Sequence, residues 1–579
     1  MILFVRLLKL YKGFELLHII KDNPVLIEGW IKMKKTARKR TTNKNKNGVA
    51  KKWEKSKGKK VTSADNHEKA AKKEVIAAQE QVSAAVAVLD KEQDTPVMEE
   101  KKKLQVLIAA SEGMPFVATG GLGEVVGSLP KAIMKENSEH FDVRVILPLY
   151  ESISYEERQQ MDFICHFDVG LGWRKQYCGL FRTEKNGVTY YFIDNEYYFK
   201  RSNAYGYFDD GERFAFFSKA VLDSIYFLDF EPEIIHSHDW QTALIPVYLH
   251  YHYHHLNAKS IFTIHNIEYQ GKYGFDVVED VMGLSSHAKE LLEYHGCVNL
   301  MKAAIECSHQ VNTVSPTYAR ELRDNYYAKG LAQIIQKNEF KMRGILNGID
   351  VESYNPQTDT ALFANYSKEA PENKKINKAE LQRLVNLPVE EDVPVIALVT
   401  RLVTHKGLDL VTQIMDQLLN ERVQIIVLGI GERQYEDYFK WLQGQYQGKV
   451  AAMLCFNSDL ARKVYAGADF FLMPSKSEPC GLAQMIASRY GTVPVVRATG
   501  GLRDTIHDCS NGEGNGFTFE NYNARELLNA IHRGLHLYYN REQWNQLIKW
   551  IMSLDFSWEK SARDYEKLYA EVACVQVPY

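Results

Sequence analysis

The chain has 579 residues, 45% of them hydrophobic and 25% charged, with a formal net charge of -2. That length exceeds one compact core and fits two large domains plus an extension, and the composition excludes a fibrous or membrane-embedded protein. Lys32 to Lys60 holds fourteen Lys/Arg against the single acid Glu54, which leaves about -15 on the remainder and argues against a nucleic-acid surface.

The first twenty residues are apolar but broken by Arg6, Lys9, Lys12 and Glu15, so neither a signal-peptide core nor a spanning helix is expected. From Lys32 to about Lys103 the chain is rich in Lys, Asn, Ala, Glu and Gln and poor in large apolar residues. A polar helix is predicted near Ala70 to Leu89, but residues 1–103 as a whole read as a basic, low-complexity extension that builds no core. Eight cysteines lie scattered without a C-x-x-C pair, which suits a reducing cytoplasm and neither a disulfide framework nor a zinc site.

At Leu104 the character changes to LQVLIAA, a continuous apolar run of strand length, followed by a glycine turn and the helical pattern VVGSLPKAI. Further strands are predicted at DVRVILP, EIIHSH, SIFTIH and QVNTVS, then at VPVIALVT, VQIIVLG, VAAMLCF, FFLMPS and VPVVRAT. Continuous apolarity suits parallel strands covered by helices on both faces. Two Rossmann-like, doubly wound α/β domains are therefore expected, 104–346 and 347–555, joined through ILNGIDVESYNP, with 556–579 as a terminal helix.

Open parallel sheets bind ligands beyond their strand C-termini, so the junctions carry the candidate chemistry. After the first strand, SEGMPFVATGGLGEV offers Gly120, Gly121 and Gly123 for close backbone approach and a helix N-terminus for an anion; the same glycines alone would also suit a plain tight turn. HSHDWQ and FTIHN place Asp239 and His265 at two strand ends, where a histidine can donate to a sugar hydroxyl and a carboxylate can orient it. The run HYHYHH, His250 to His255, reads as the continuation of a helix and not as a metal site.

In VTRLVTHKG, Arg401 and Lys406 share one loop, which suits a diphosphate: a bidentate guanidinium and a mobile ammonium. In PSKSEPCGLAQ, Glu478 precedes a helix whose first amides are assigned to Cys480, Gly481 and Leu482, and RATGGLRDT repeats the strand, glycine turn and helix with Thr499 and Gly500.

These segments, with VSPTYARE, ILNGID and LGIGE between them, resemble in order the bacterial glycogen synthases and plant starch synthases over about Leu104 to Tyr569. The resemblance implies the two-domain GT-B architecture, with a helix near Trp558 to Ala570 crossing back to the first domain. It implies retaining transfer of glucose from ADP-glucose to the non-reducing end of an α-1,4-glucan, with no metal and no cofactor, by a front-face displacement in which the departing phosphate helps deprotonate the acceptor. The implied partners are a nucleotide sugar and an α-glucan, with neither nucleic acid nor membrane, in a bacterial cytoplasm.

Carried over by position, His265, Arg401, Lys406, Glu478 and Asp239 are the catalytic set. Donor contacts fall on Thr119, Gly120, Gly121, Arg401, Lys406, Glu478, Cys480, Gly481, Leu482, Thr499 and Gly500, and acceptor contacts on Glu112, Glu124, Tyr205 and Asn347. The sequence departs from the family once, at Ala118, where a lysine is usual. Losing one charge-assisted contact costs about 1.5–3 kcal/mol, or about tenfold to a hundredfold in donor use. A retaining transferase with another donor or acceptor, and a non-catalytic glucan- or nucleotide-binding paralogue, are the alternatives.

Overall fold

The structure is a computed structural model that describes residues 103–576. The readings made for the extension, including the helix near Ala70 to Leu89, lie outside the described residues.

The first half is built on a nine-stranded sheet. In chain order its strands are β1 (Leu104–Ala109), β2 (Phe141–Pro148), β3 (Asp162–Leu171), β4 (Arg174–Lys185), β5 (Val188–Asp194), β6 (Ile234–His238), β7 (Lys259–Ile264), β8 (Gln310–Thr313) and β9 (Met342–Gly344). Their spatial order is β9-β8-β7-β6-β1-β2-β5-β4-β3. Everything from β9 to β5 is parallel, and Val106, Leu107, Ile108 and Ala109 of β1 have no exposed surface, because apolar side chains pack on both faces.

β3 and β4 form an antiparallel edge hairpin, absent from the predicted strands because neither is a continuous apolar run. On β3, Val169 and Leu171 are buried while His166, Asp168 and Gly170 are exposed, a period of two that marks a strand wet on one face. Two-residue turns close the ladder: Gly172 (φ 59°) and Trp173 between β3 and β4, Asn186 (φ 53°) and Gly187 (φ 75°) between β4 and β5. Both are turns whose positive φ matches strand twist.

The second half carries a six-stranded, wholly parallel sheet: β10 (Val395–Val399), β11 (Gln424–Leu428), β12 (Val450–Met453), β13 (Phe470–Met473), β14 (Val493–Arg497) and β15 (Phe517–Phe519), in the order β12-β11-β10-β13-β14-β15. In each sheet the winding reverses once near the middle, beside β1 and beside β10, so the loops after β1, β6, β10 and β13 open at the switch points.

Four helices matter for the site. α1 (Gly121–Asn137) follows β1, α2 (Pro316–Glu321) follows β8, α3 (Gly500–Thr505) follows β14, and α4 (Trp558–Ala573) crosses from the second half to the first. α4 places Trp558, Tyr565, Leu568 and Tyr569 in the core beneath β1, β2 and α1. Its hydroxyls pair with the first sheet, Tyr569 with His236 Nδ1 at 2.9 Å and Tyr565 with Asn312 Nδ2 at 2.9 Å.

Two local expectations need correction. The helix containing His250 ends at Tyr251, so His252 to His255 lie beyond it. The helix after Glu478 begins at Ala483 rather than Cys480, because Gly481 adopts φ 72° and breaks the helical path.

Candidate active site

The loop after β1 is held from within. Glu112, 2% exposed, accepts hydrogen bonds from Thr119 N (2.7 Å), Thr119 Oγ1 (2.6 Å) and Gly123 N (3.2 Å). Burial raises its carboxyl above the usual range, and those donors pull it back. The hydroxyl of Tyr205 meets Ser111 Oγ at 2.8 Å beside it, so Glu112 and Tyr205, both expected on the acceptor side, brace this loop. A Cβ added at Gly120 or Gly121 would meet nothing within 4 Å, so packing within the protein does not require glycine there and the space in front of the loop is open. Ala118 is exposed, and a Cβ on Gly123 would come within 2.6 Å of its own Cβ. Glu124, in the first turn of α1, is pushed up to about 7 by burial and by Asp350, against Arg462.

Three imidazoles gather behind β6 and β7. His238 Nδ1 lies 2.9 Å from His265 Nε2, and His236 Nε2 lies 2.6 Å from Thr263 Oγ1. Burial lowers His236 and His265 to about 3 and His238 well below its ordinary value, so all three are neutral near pH 7. Asp239, at φ 56°, turns its carboxylate under the next loop and accepts from His265 N (2.7 Å) and Asn266 N (3.4 Å). Burial pushes its carboxyl up to about 7 despite these bonds. Asp239 thus fixes the backbone of His265 and His238 fixes its ring. His236 and His238 were not singled out in the sequence, although HSHDW contains them.

On the facing sheet, Lys406 Nζ pairs with Glu478 Oε2 at 2.7 Å, and Ser475 Oγ donates to the same oxygen at 2.9 Å. Burial would raise the Glu478 carboxyl, but Lys406 and Ser475 outweigh it and hold it below the usual range. Arg401 is exposed, and its guanidinium makes no hydrogen bond or ion pair among the described residues. The thiol of Cys480, its pKa pushed up to about 12 by burial, receives the backbone N–H of Asn347, which seats the interdomain linker on the second half. Leu482 caps the following helix.

Thr499 and Gly500 open α3, and both already have a partner from the first half. Glu321 Oε1 accepts from Thr499 Oγ1 (2.8 Å) and Gly500 N (3.0 Å), while its buried Oε2 has no partner. Neighbouring contacts from α2 run the same way: Thr317 donates to Asp504 through N (2.8 Å) and Oγ1 (2.6 Å), and Ser315 Oγ donates to Pro479 O at 2.6 Å. Gly500 admits no side chain, since a Cβ would fall 1.9 Å from Glu478 O. Glu321 ends the motif VSPTYARE, and only this cross-domain contact singles it out.

Two doubly wound sheets whose switch-point loops carry paired and free cations on one side, and neutral imidazoles and a bound carboxylate on the other, define a GT-B glycosyltransferase. A family model of the starch synthase catalytic domain matches residues 105–337, and one of glycosyl transferases group 1 matches residues 384–549. The chain is 47% identical over 475 residues to a glycogen synthase of Bacillus cereus, covering 80% of this chain and 99% of that protein. To a glycogen synthase of Clostridium novyi it is 44% identical over 478 residues, covering 81% and 99%. The catalytic domain of starch synthase IV from Arabidopsis thaliana, solved bound to ADP and acarbose, superposes with a TM-score of 0.75 at 33% identity, covering 82% of this chain and 100% of that one. A sucrose-phosphate synthase from Thermosynechococcus elongatus shares the fold at a TM-score of 0.52 and 18% identity. The chain belongs to the glycogen and starch synthase family and is a hexosyltransferase.

Proposed function

We propose that the protein transfers glucose from ADP-glucose to the non-reducing end of an α-1,4-glucan with retention of configuration. The observation that carries this reading is the switch-point loop after β10, where the Arg401 guanidinium has no partner among the described residues and Lys406 is held 2.7 Å from Glu478. A departing nucleoside diphosphate needs positive charge fixed in advance, and Arg401 and Lys406 supply it, so the reaction proceeds without a metal or cofactor. Glu478 sets the position of Lys406 and offers its remaining lone pairs to sugar hydroxyls. The open backbone at Gly120 and Gly121 leaves room for the donor on the side of the first half. Neutral His265 faces the transferred glucose as a hydrogen-bond donor, its tautomer set by His238 and its backbone by Asp239.

The related starch synthase that binds ADP and acarbose supports ADP-glucose as donor and α-glucan as acceptor. Ala118 favours a second reading, a different nucleotide, because no lysine projects from this loop. Bacterial relatives support a cytoplasmic location, and no helix among the described residues is long and apolar enough to cross a membrane.

The test is incorporation of radiolabelled glucose into glycogen from ADP-glucose and, separately, UDP-glucose, with the parent and Ala118→Lys. ADP-glucose is expected to serve the parent, with its KM falling about tenfold or more in the lysine variant. Transfer from UDP-glucose alone would establish the second reading. No transfer from either donor, even in Ala118→Lys, would overturn both.

A further inference from the structure

The loop that carries Glu478 is gripped along its backbone, and part of that grip comes from the other half of the molecule. Arg497 Nη1 donates to Lys476 O at 2.7 Å, Gly501 N donates to Glu478 O and Pro479 O at 3.2 Å each, and Ser315 Oγ donates to Pro479 O at 2.6 Å. Lys476 N in turn donates to His405 O at 2.9 Å, which ties this loop to the one bearing Lys406.

The first half reaches each of these donors. Ser315, which also caps α2, belongs to it and acts directly. Glu321 holds Thr499 and Gly500 through Oε1, and the next residue is Gly501, whose N–H is shared between the carbonyls of Glu478 and Pro479. Tyr327 OH accepts from Arg497 Nη2 at 3.2 Å, and the ring of Tyr326 lies 5.5 Å from Lys476 Nζ. The contact has no slack: a Cβ would fall 1.9 Å from Glu478 O if added at Gly500, and 2.2 Å from Cys480 O if added at Gly501. With backbone packed on backbone, a shift of α2 is passed to the Glu478 peptide and not absorbed by side chains. Thr317 makes a useful contrast, because its bonds to Asp504 join the same two helices but end on α3, with no hydrogen bond to the Glu478 loop.

We propose that Ser315 and Glu321 are positioning residues for glucosyl transfer: gripping the Glu478–Pro479 peptide from across the domain interface, they set the Glu478 carboxylate against Lys406, so that the docking of α2 completes the donor side. The inference rests on the synthase reading above and states how that site is assembled. Both residues bond to protein groups, so their effect on the reaction passes through Glu478. A carboxylate misplaced by about 1 Å is enough to cost about 10²-fold in rate.

The test uses the purified full chain, with glucose transfer from radiolabelled ADP-glucose to glycogen and hydrogen exchange of residues 476–481 without any donor. Glu321→Ala is expected to lower kcat about tenfold to a hundredfold with the KM for glycogen unchanged, and Glu321→Gln, which keeps an oxygen for Thr499 and Gly500, to recover to within about threefold of the parent. Ser315→Ala is the milder form of the same cut, with an expected loss of about fivefold, so the outcome does not depend on one variant folding. Asp504→Ala loosens the same interface and should keep kcat within about twofold. On a Glu478→Gln background, Glu321→Ala should add less than about twofold, because both changes act on one group. Exchange in the loop should rise in Glu321→Ala and stay at the parent's rate in Asp504→Ala. Full kcat in both Glu321→Ala and Ser315→Ala would overturn the proposal, as would multiplying losses in the double variant or an equal loss in Asp504→Ala, which would reduce the contact to adhesion between the halves. A parent that transfers no glucose from any donor, while its loop still loosens in Glu321→Ala alone, would sink the synthase reading and leave the grip on Glu478 standing.

Discussion

The two sides of the cleft solve opposite electrostatic problems. The first half suppresses charge: its three histidines are neutral, and Asp239 and Glu124 titrate near 7 because burial disfavours their anions. The second half preserves charge: Glu478 stays ionised below the usual range because Lys406 faces it, and Arg401 remains solvated. Under the proposed reaction, a near-neutral first half and a cationic second half would direct the negative leaving group to one sheet only.

Removing Lys406 breaks this contrast most severely. Lys406→Met strands the buried Glu478 carboxylate, so about 3–5 kcal/mol of stability should be lost in urea titrations, together with about 10²–10³ in kcat. Arg401→Ala should lose as much activity while its unfolding midpoint stays within about 0.5 kcal/mol of the parent, because no protein partner is left behind. Equal destabilisation by both would show that the two cations are not differently held.

On the neutral side the prediction concerns pH. Asp239 titrates near 7 when folded and near about 3.9 when unfolded, so the folded state holds the extra proton between those values. Its contribution to stability is greatest below about pH 4 and is lost as pH rises to 7. Asp239→Asn keeps an oxygen for His265 N but has no charge to bury. Its urea midpoint should gain on the parent's between pH 5 and pH 8, and parallel curves would disprove the assignment. The smallest effect is expected from Tyr569→Phe, which removes one buried hydrogen bond to His236 and should cost about 1 kcal/mol in thermal unfolding.

The parallel strands were legible because strands buried on both faces write continuous apolar runs, as LQVLIAA does, and Asp239, His265 and Arg401 were legible because they follow those runs, whereas Tyr205 and Glu124 came only from the family resemblance. The β3–β4 hairpin was not, since its half-wet strands alternate, although Asn186-Gly187 was a turn signal available to be used. Partners across the cleft were not legible either. Nothing local to Glu321 points to Gly500, 179 residues away, and only the docking of α2 on α3 brings them together. The helix expected at Cys480 fails for a local reason, the left-handed glycine at 481.

The crossing helix has a consequence for biosynthesis. The nine strands of the first sheet are complete once Gly344 is made, but the sockets for Trp558, Tyr565 and Tyr569 stay empty until the chain has been extended past residue 569. At about 5–20 residues per second that interval lasts roughly ten to forty seconds. Throughout it the nascent first half displays an apolar trough, with His236 and Asn312 each short of its tyrosine partner, to the chaperones around the ribosome.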